Sequence, residues 1–159
     1  MHAMKVHTLT RTQVVHAELE ECWAFFSNPG NLSRITPPSV DFRVLSDVPE
    51  KIYAGLMIHY RVRPLFGIPM RWLTEITQVR ELEYFADEQR VGPYAIWHHE
   101  HFFRKLEDSR VEMRDMVHYA LLFGFAGEIV HEMVVKRELE RIFLYREKTV
   151  EALFGGRTK

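Results

Sequence analysis

The chain has 159 residues, 47% of them hydrophobic, with 21 Lys and Arg against 22 Asp and Glu and a net charge of −1. That length and apolar content suit one domain with a core of its own and exclude a disordered chain. The balanced charge excludes bulk attraction to nucleic acid or an acidic membrane, and the single cysteine, Cys22, excludes an internal disulfide.

Residues 5–15 alternate loosely between Val, Thr, Leu and polar residues and read as a first strand. Leu19, Cys22, Trp23 and Phe26 then recur at helical spacing, with Glu18, Glu20 and Glu21 where a helix dipole favours acids. Asn28-Pro29-Gly30-Asn31 breaks that helix, and Asn31 or Ser33 is placed to cap a second one around Leu32–Thr36. From residue 40 to about 122 the signals are strands and turns: 40–48, 56–62, 71–79, 84–91, 96–105 and 110–122. Short turns join most of them, which points to an antiparallel meander of about seven strands. Residues 124–153 hold no proline and are rich in good helix formers. This long helix carries two apolar stripes out of phase: Ile129, Val130, Met133 and Val134, then Val135, Leu139, Ile142, Phe143, Val150 and Leu153. A straight helix cannot bury both on one surface. It is either kinked near 136 or contacts something besides the sheet with its first part.

The expected fold class is α+β: a curved antiparallel sheet with two short helices, wrapped around a long C-terminal helix. No apolar run approaches ~18 residues, and Met1–Lys5 lacks the apolar stretch of a signal peptide. The expectation is a single soluble, cytoplasmic domain over 1–159. Met1–Ala3 are either native or an addition ahead of a natural start at Met4.

Side chains alternate faces along a strand. Trp97, His99, His101 and Phe103 therefore share one face, and His98 and Glu100 point the other way. The hairpin at Glu107-Asp108-Ser109 sets His101 opposite Asp115 or Val117. Two imidazoles between two aromatics make a polar spot in an apolar wall, as small-molecule sites are built.

In this order and spacing the motifs resemble the helix-grip (START/Bet v 1-like, SRPBCC) superfamily: Trp23-Ala24-Phe25-Phe26, Asn28-Pro29-x-Asn31-Leu32, Gly67-Ile68-Pro69, Trp72-x-Thr74-Glu75-Ile76, Phe85-x-Asp87-x-Gln89, Gly92-Pro93-Tyr94, Trp97-x-His99-x-His101-x-Phe103, Asp115-x-Val117-x-Tyr119 and Phe123-Gly124. The resemblance is closest to a branch of small stand-alone bacterial members related to polyketide cyclase/dehydrases and coenzyme-Q-binding proteins. Ala120-Leu121-Leu122 departs from that branch's turn before the last Phe-Gly. The resemblance implies the fold, but the superfamily holds carriers, sensors and enzymes alike.

Four readings of the His/Asp group follow. It is a structural network in which His99, His101, Asp87, Gln89 and Asp115 satisfy one another, a ligand anchor, a general acid–base site at His99 or His101, or a metal site with Asp115 as a third ligand. The reading adopted is a cavity for a small hydrophobic or aromatic molecule. Tyr60, Trp72, Phe85, Trp97, Phe103 and Tyr119 form its wall; His99, His101, Asp115 and Gln89 are its polar anchor. No metal, cofactor or nucleic acid is expected. The alternatives are a cyclase/dehydratase-type enzyme with His99, His101 and Asp115 as catalytic candidates, or a protein-interaction module using the long helix. A homo-oligomer contact would equally account for the mismatch between the two stripes. Arg61, Arg63 and Arg71 read as a solvated patch. Lys136, Arg137, Arg141 and Arg146, interleaved with glutamates, read as exposed ion pairs.

Overall fold

The computed structural model describes residues 4–64, 66–122 and 129–155. Seven strands form one antiparallel sheet: β1 His7–Val15, β2 Arg43–Val44, β3 Met57–Val62, β4 Met70–Arg80, β5 Tyr84–Val91, β6 Ile96–Leu106 and β7 Arg110–Ala120. Their order across the sheet is β1-β7-β6-β5-β4-β3-β2, so the meander from β2 to β7 runs neighbour to neighbour and only β1 joins from afar. Helix α1 (Leu19–Phe26) follows β1, and a long helix α2 (Lys136–Phe154) ends the described chain. This is the expected helix-grip order. Phe123-Gly124, the start of the expected helix, Met1–Ala3 and Gly156 lie outside the described residues.

Three local differences from the sequence reading have physical causes. The expected helix at 32–36 is a 3-10 segment, Pro29–Ile35, and its cap is Asn28, whose side chain accepts from the Gly30 N–H. Asn31 instead donates to the Phe25 carbonyl, tying the segment back to α1. The expected strand at 40–48 shrinks to two residues. A 3-10 turn at Pro38–Val40 ends on Asp41 in the left-handed region (φ 44°), which delays the start of pairing. Asp41 also draws in Arg43, Arg61 and Arg63, at 2.9, 2.8 and 3.2 Å. Two of the three arginines expected to be simply solvated are therefore part of a clamp on this sheet edge.

The third difference lies in the last helix. Residues His131–Val135 form one π-helical turn immediately before α2. Such a turn holds one extra residue and shifts the helical phase. Beyond it Leu139, Phe143, Val150 and Phe154 are buried. Before it Ile129 and Val130 are exposed, and within it Met133 is 66% exposed. The irregularity expected near 136 is there, and only the second stripe faces the sheet.

The core sits between the concave face of the sheet and α2. Trp23 of α1 meets Phe85 and Phe103 edge-on, with centroids 5.8 and 5.3 Å apart, and Val15, Val111, Met113, Val150 and Phe154 complete that end. Edge-to-face pairs of this kind add about 0.5–1.5 kcal/mol beyond their burial. Cys22 is packed beneath them. Burial, with Glu21 nearby, pushes its thiol up to about 12. Thiolate is the reactive form, so Cys22 is expected to resist an aromatic disulfide reagent in the native protein and to react fully in urea. Labelling at the native rate of a free thiol would contradict this packing.

Candidate functional site

The strand register builds the polar group. β6 lies between β5 and β7, with His99 directly opposite Asp87 and Val117, and His101 opposite Phe85 and Asp115. Each histidine is thus opposite one aspartate and diagonal to the other. Both diagonals are hydrogen bonds: His99 Nε2–Asp115 Oδ1 at 3.0 Å and His101 Nε2–Asp87 Oδ2 at 3.1 Å. Of the direct pairs, His101 Nδ1–Asp115 Oδ1 is 2.8 Å but poorly aligned, and His99 Nδ1–Asp87 Oδ2 is 3.7 Å. The two imidazole centroids are 3.8 Å apart, and His101 also stacks on Phe85 at 4.1 Å. His99, His101 and Asp115 are all buried.

Within the tetrad of His99, His101, Asp87 and Asp115, the electrostatics favour a proton on His101 over one on His99. Burial opposes the His101 imidazolium, but hydrogen bonds to Asp115 and Asp87 outweigh it and raise His101 above its ordinary value. Burial lowers His99, and repulsion from His101 lowers it further. Burial would raise the Asp115 carboxyl, yet Arg146 and the hydrogen bonds from His101 and His99 hold it well below the usual carboxylate range. Two carboxylates against the Arg146 guanidinium leave one negative charge. A single imidazolium on His101 balances it, with His99 neutral.

Asp87, His99 and His101 also bring ligand atoms within 4.8 Å of one another, near enough for a metal ion. Arg146 beside Asp115, and donors already committed to the carboxylates, favour a proton over a second cation there.

Above the tetrad lies a cavity of about 190 Å³. Its wall comes from the sheet (Ile58, Tyr60, Trp72, Ile76, Phe85, Trp97), from α1 and the 3-10 segment (Phe25, Phe26, Leu32, Ile35), and from α2 (Leu139, Ile142, Phe143). Trp72 and Trp97 cross edge-on at 5.2 Å. Bulges in β4 at Leu73/Thr74 and Ile76/Gln78 let Thr74 and Ile76 line the cavity while Val79 packs into the aromatic end of the core. Burial raises the phenols of Tyr60 and Tyr94, which keeps both neutral; Asp87 adds to the effect at Tyr60.

Tyr60, Trp72, Phe85, Trp97, His99 and His101, all expected on the wall, line it. Four others sit elsewhere. Asp115 is behind the histidines. Phe103 belongs to the Trp23 end of the core. Tyr119 is buried beyond Trp97 and shares a 2.8 Å hydrogen bond with His131 Nε2. Gln89 braces the β5–β6 turn, accepting from the Tyr94 N–H at 3.2 Å and donating to its carbonyl at 2.7 Å. A Cβ at Gly92 would collide with that Gln89 side chain. Gln89 therefore seats Tyr94, a wall residue that sequence reasoning missed. His98 turns outward, with Glu88 Oε1 at 3.2 Å, as strand parity requires.

No family model matches the sequence, and no curated protein does. Solved structures do. The aromatase/cyclase ZhuI from Streptomyces sp. R1128 superposes with a TM-score of 0.73 at 15% identity, covering 94% of this chain and 93% of ZhuI. A START superfamily protein from Mycobacterium smegmatis gives 0.69 at 14% identity, covering 92% and 99%. Norcoclaurine synthase from Thalictrum flavum, in complex with dopamine and hydroxybenzaldehyde, gives 0.64 at 13% identity, covering 92% and 87%. This chain has the START/Bet v 1-like fold. Within that helix grip, the gripped helix itself supplies a charged wall residue. Leu139, Phe143, Arg146, Val150 and Phe154 fall at spacings of four, three, four and four, one face of a helix. Arg146 is thus largely covered, not the exposed ion-pair residue that its neighbouring glutamates suggest. The signal was a charge at a position of the apolar stripe.

Proposed function

We propose that this protein binds a small aromatic molecule in its internal cavity, oriented by the His99/His101/Asp87 wall. The observation that carries the reading is an aromatic-lined cavity with one polar wall. Purely structural networks do not need a void beside them, and close-packed interiors rarely leave one. Size supports an aromatic ligand over a long lipid. A cavity of roughly 150 Å³ accommodates benzene, and this one is about 190 Å³. The norcoclaurine synthase neighbour, in complex with dopamine and hydroxybenzaldehyde, supports the same class.

Ile142 lies on the α2 wall and is only partly buried. Ile142→Trp is expected to fill the void. Native mass spectrometry of the purified protein should find a small aromatic with the parent chain and not with the variant. Aromatic ligands should also perturb the emission of Trp72 and Trp97 in the parent alone. Equal retention by the two proteins would sink the proposal.

One observation favours a second reading, an acid–base enzyme of the cyclase/dehydratase type like the ZhuI neighbour. With Nε2–H donating to Asp115, a neutral His99 keeps Nδ1 as its basic nitrogen, with Asp87 too far to bond it. A proton bound there could pass within the tetrad. His99→Gln would then abolish turnover of the identified ligand while leaving the melting temperature within a few degrees.

A further inference from the structure

Arg146 is a cavity residue whose hydrogen-bonding capacity the fold leaves open. Its side chain is 11% exposed and lines the cavity beside His99 and His101. The rings of Phe26 and Phe143 flank the guanidinium carbon at 5.5 and 5.9 Å. Asp115 Oδ1, its nearest carboxylate oxygen, is 3.6 Å away, beyond hydrogen-bond range. That oxygen already has His99 Nε2 at 3.0 Å and His101 Nδ1 at 2.8 Å. Among the described residues the guanidinium donates no hydrogen bond. Arginine offers five N–H donors in a fixed fork, and Arg146 lines the cavity with these donors uncommitted. Asp115 balances the charge of Arg146 without occupying its donors.

We propose that the ligand is an aromatic carboxylic acid whose carboxylate docks on Arg146 with its ring against Trp72 and Trp97. This rests on the cavity being a ligand site. The guanidinium fork matches a planar two-oxygen acid, which can take two parallel hydrogen bonds from it. The flanking phenyl rings keep water from competing for those bonds and strengthen them. Asp87 is the one carboxylate on the wall, and its Oδ2 is bonded to His101 Nε2 at 3.1 Å, so its charge is already matched. The volume of about 190 Å³ suits one ring with a short acidic arm.

The test uses the full chain and two acid–amide pairs: benzoate with benzamide, and trans-cinnamate with cinnamamide. Each amide keeps the shape and one carbonyl but lacks the charge. In calorimetric titrations the parent protein is expected to bind each acid at least about tenfold more tightly than its amide, as charge-assisted hydrogen bonds allow. Arg146→Met should erase that preference. Arg146→Lys, which keeps the charge and loses the fork, should retain only part of it, and it carries the test if the methionine variant does not fold. Acid and amide binding alike in the parent, or a preference that survives in Arg146→Met, would overturn the carboxylate anchor and leave the cavity reading standing. Failure of all four probes to bind would overturn both.

Discussion

Asp115→Ala is expected to lower the unfolding free energy by about 3–5 kcal/mol, the usual cost of removing one partner from a buried charge group. Three groups crowd one atom, Asp115 Oδ1: His99 Nε2, hydrogen-bonded at 3.0 Å, His101 Nδ1, out of line at 2.8 Å, and the Arg146 guanidinium at 3.6 Å. Without the carboxylate, a guanidinium and an imidazolium would remain buried side by side, with only Asp87 to offset them. For a chain of this size the loss corresponds to a drop in melting temperature of roughly 6–20 °C. Asp115→Asn keeps an acceptor but not the charge, so it should fall between. The double change Asp115→Leu with Arg146→Met should recover part of the loss, because the unpaired guanidinium goes too. A drop below about 1 kcal/mol for Asp115→Ala, measured by urea unfolding, would mean that the tetrad is not the charge centre inferred from its geometry.

The second large effect is a pair of opposed pH dependences. His101 is raised above its ordinary value of 6.5 in the folded protein. Its contribution is therefore complete below pH 6.5 and is lost as pH rises through the folded value. His99 is lowered from the same ordinary value. The unfolded chain binds that proton more readily, so stability falls as pH drops below 6.5. Asp115 contributes above its ordinary 3.8, and its contribution is lost only well below that pH. Over the range on either side of pH 6.5 the two losses do not offset each other, so the parent is expected to be most stable near that pH and to lose stability in both directions. His101→Gln should remove the alkaline decline and expose the acid-side loss due to His99. His99→Gln should do the reverse. Each slope has a ceiling of about 1.4 kcal/mol per pH unit for one proton. Parallel profiles for the two variants, from urea unfolding across that range, would contradict the single-proton assignment.

Much of this was legible in residue order and parity. Alternation placed His99 and His101 inward and His98 outward. The Glu107-Asp108-Ser109 hairpin narrowed the partner of His101 to Asp115 or Val117, and the fold takes Asp115. What escaped the sequence depended on contacts between distant elements. Arg146 sits among glutamates and was read as solvated, since local charge alternation says nothing of which helical face meets the cavity. Tyr94 was passed over because it follows Gly92-Pro93 in a turn; its place on the wall comes from the Gln89 side chain folding back to hold its backbone. The two-residue β2 was overestimated because Asp41's left-handed backbone and its arginines cannot be read from strand propensity.

The π-helical turn at His131–Val135 has a bearing on how this helix tolerates change in length. In an α-helix each residue advances the azimuth by about 100°. The downstream stripe is locked against the sheet by Leu139, Phe143, Val150 and Phe154, while His131 upstream is fastened to Tyr119. The extra residue in the π turn takes up the angular mismatch between these two fixed points. Deleting a single residue from 131–135 should straighten this turn into α-helix and force one anchor to rotate away. A deletion that breaks the His131 tie should leave Arg146 in place, whereas one taken up downstream would swing Arg146 out of the cavity. The turn acts as a clutch between an anchored upstream end and the helix face that carries the cavity's one guanidinium.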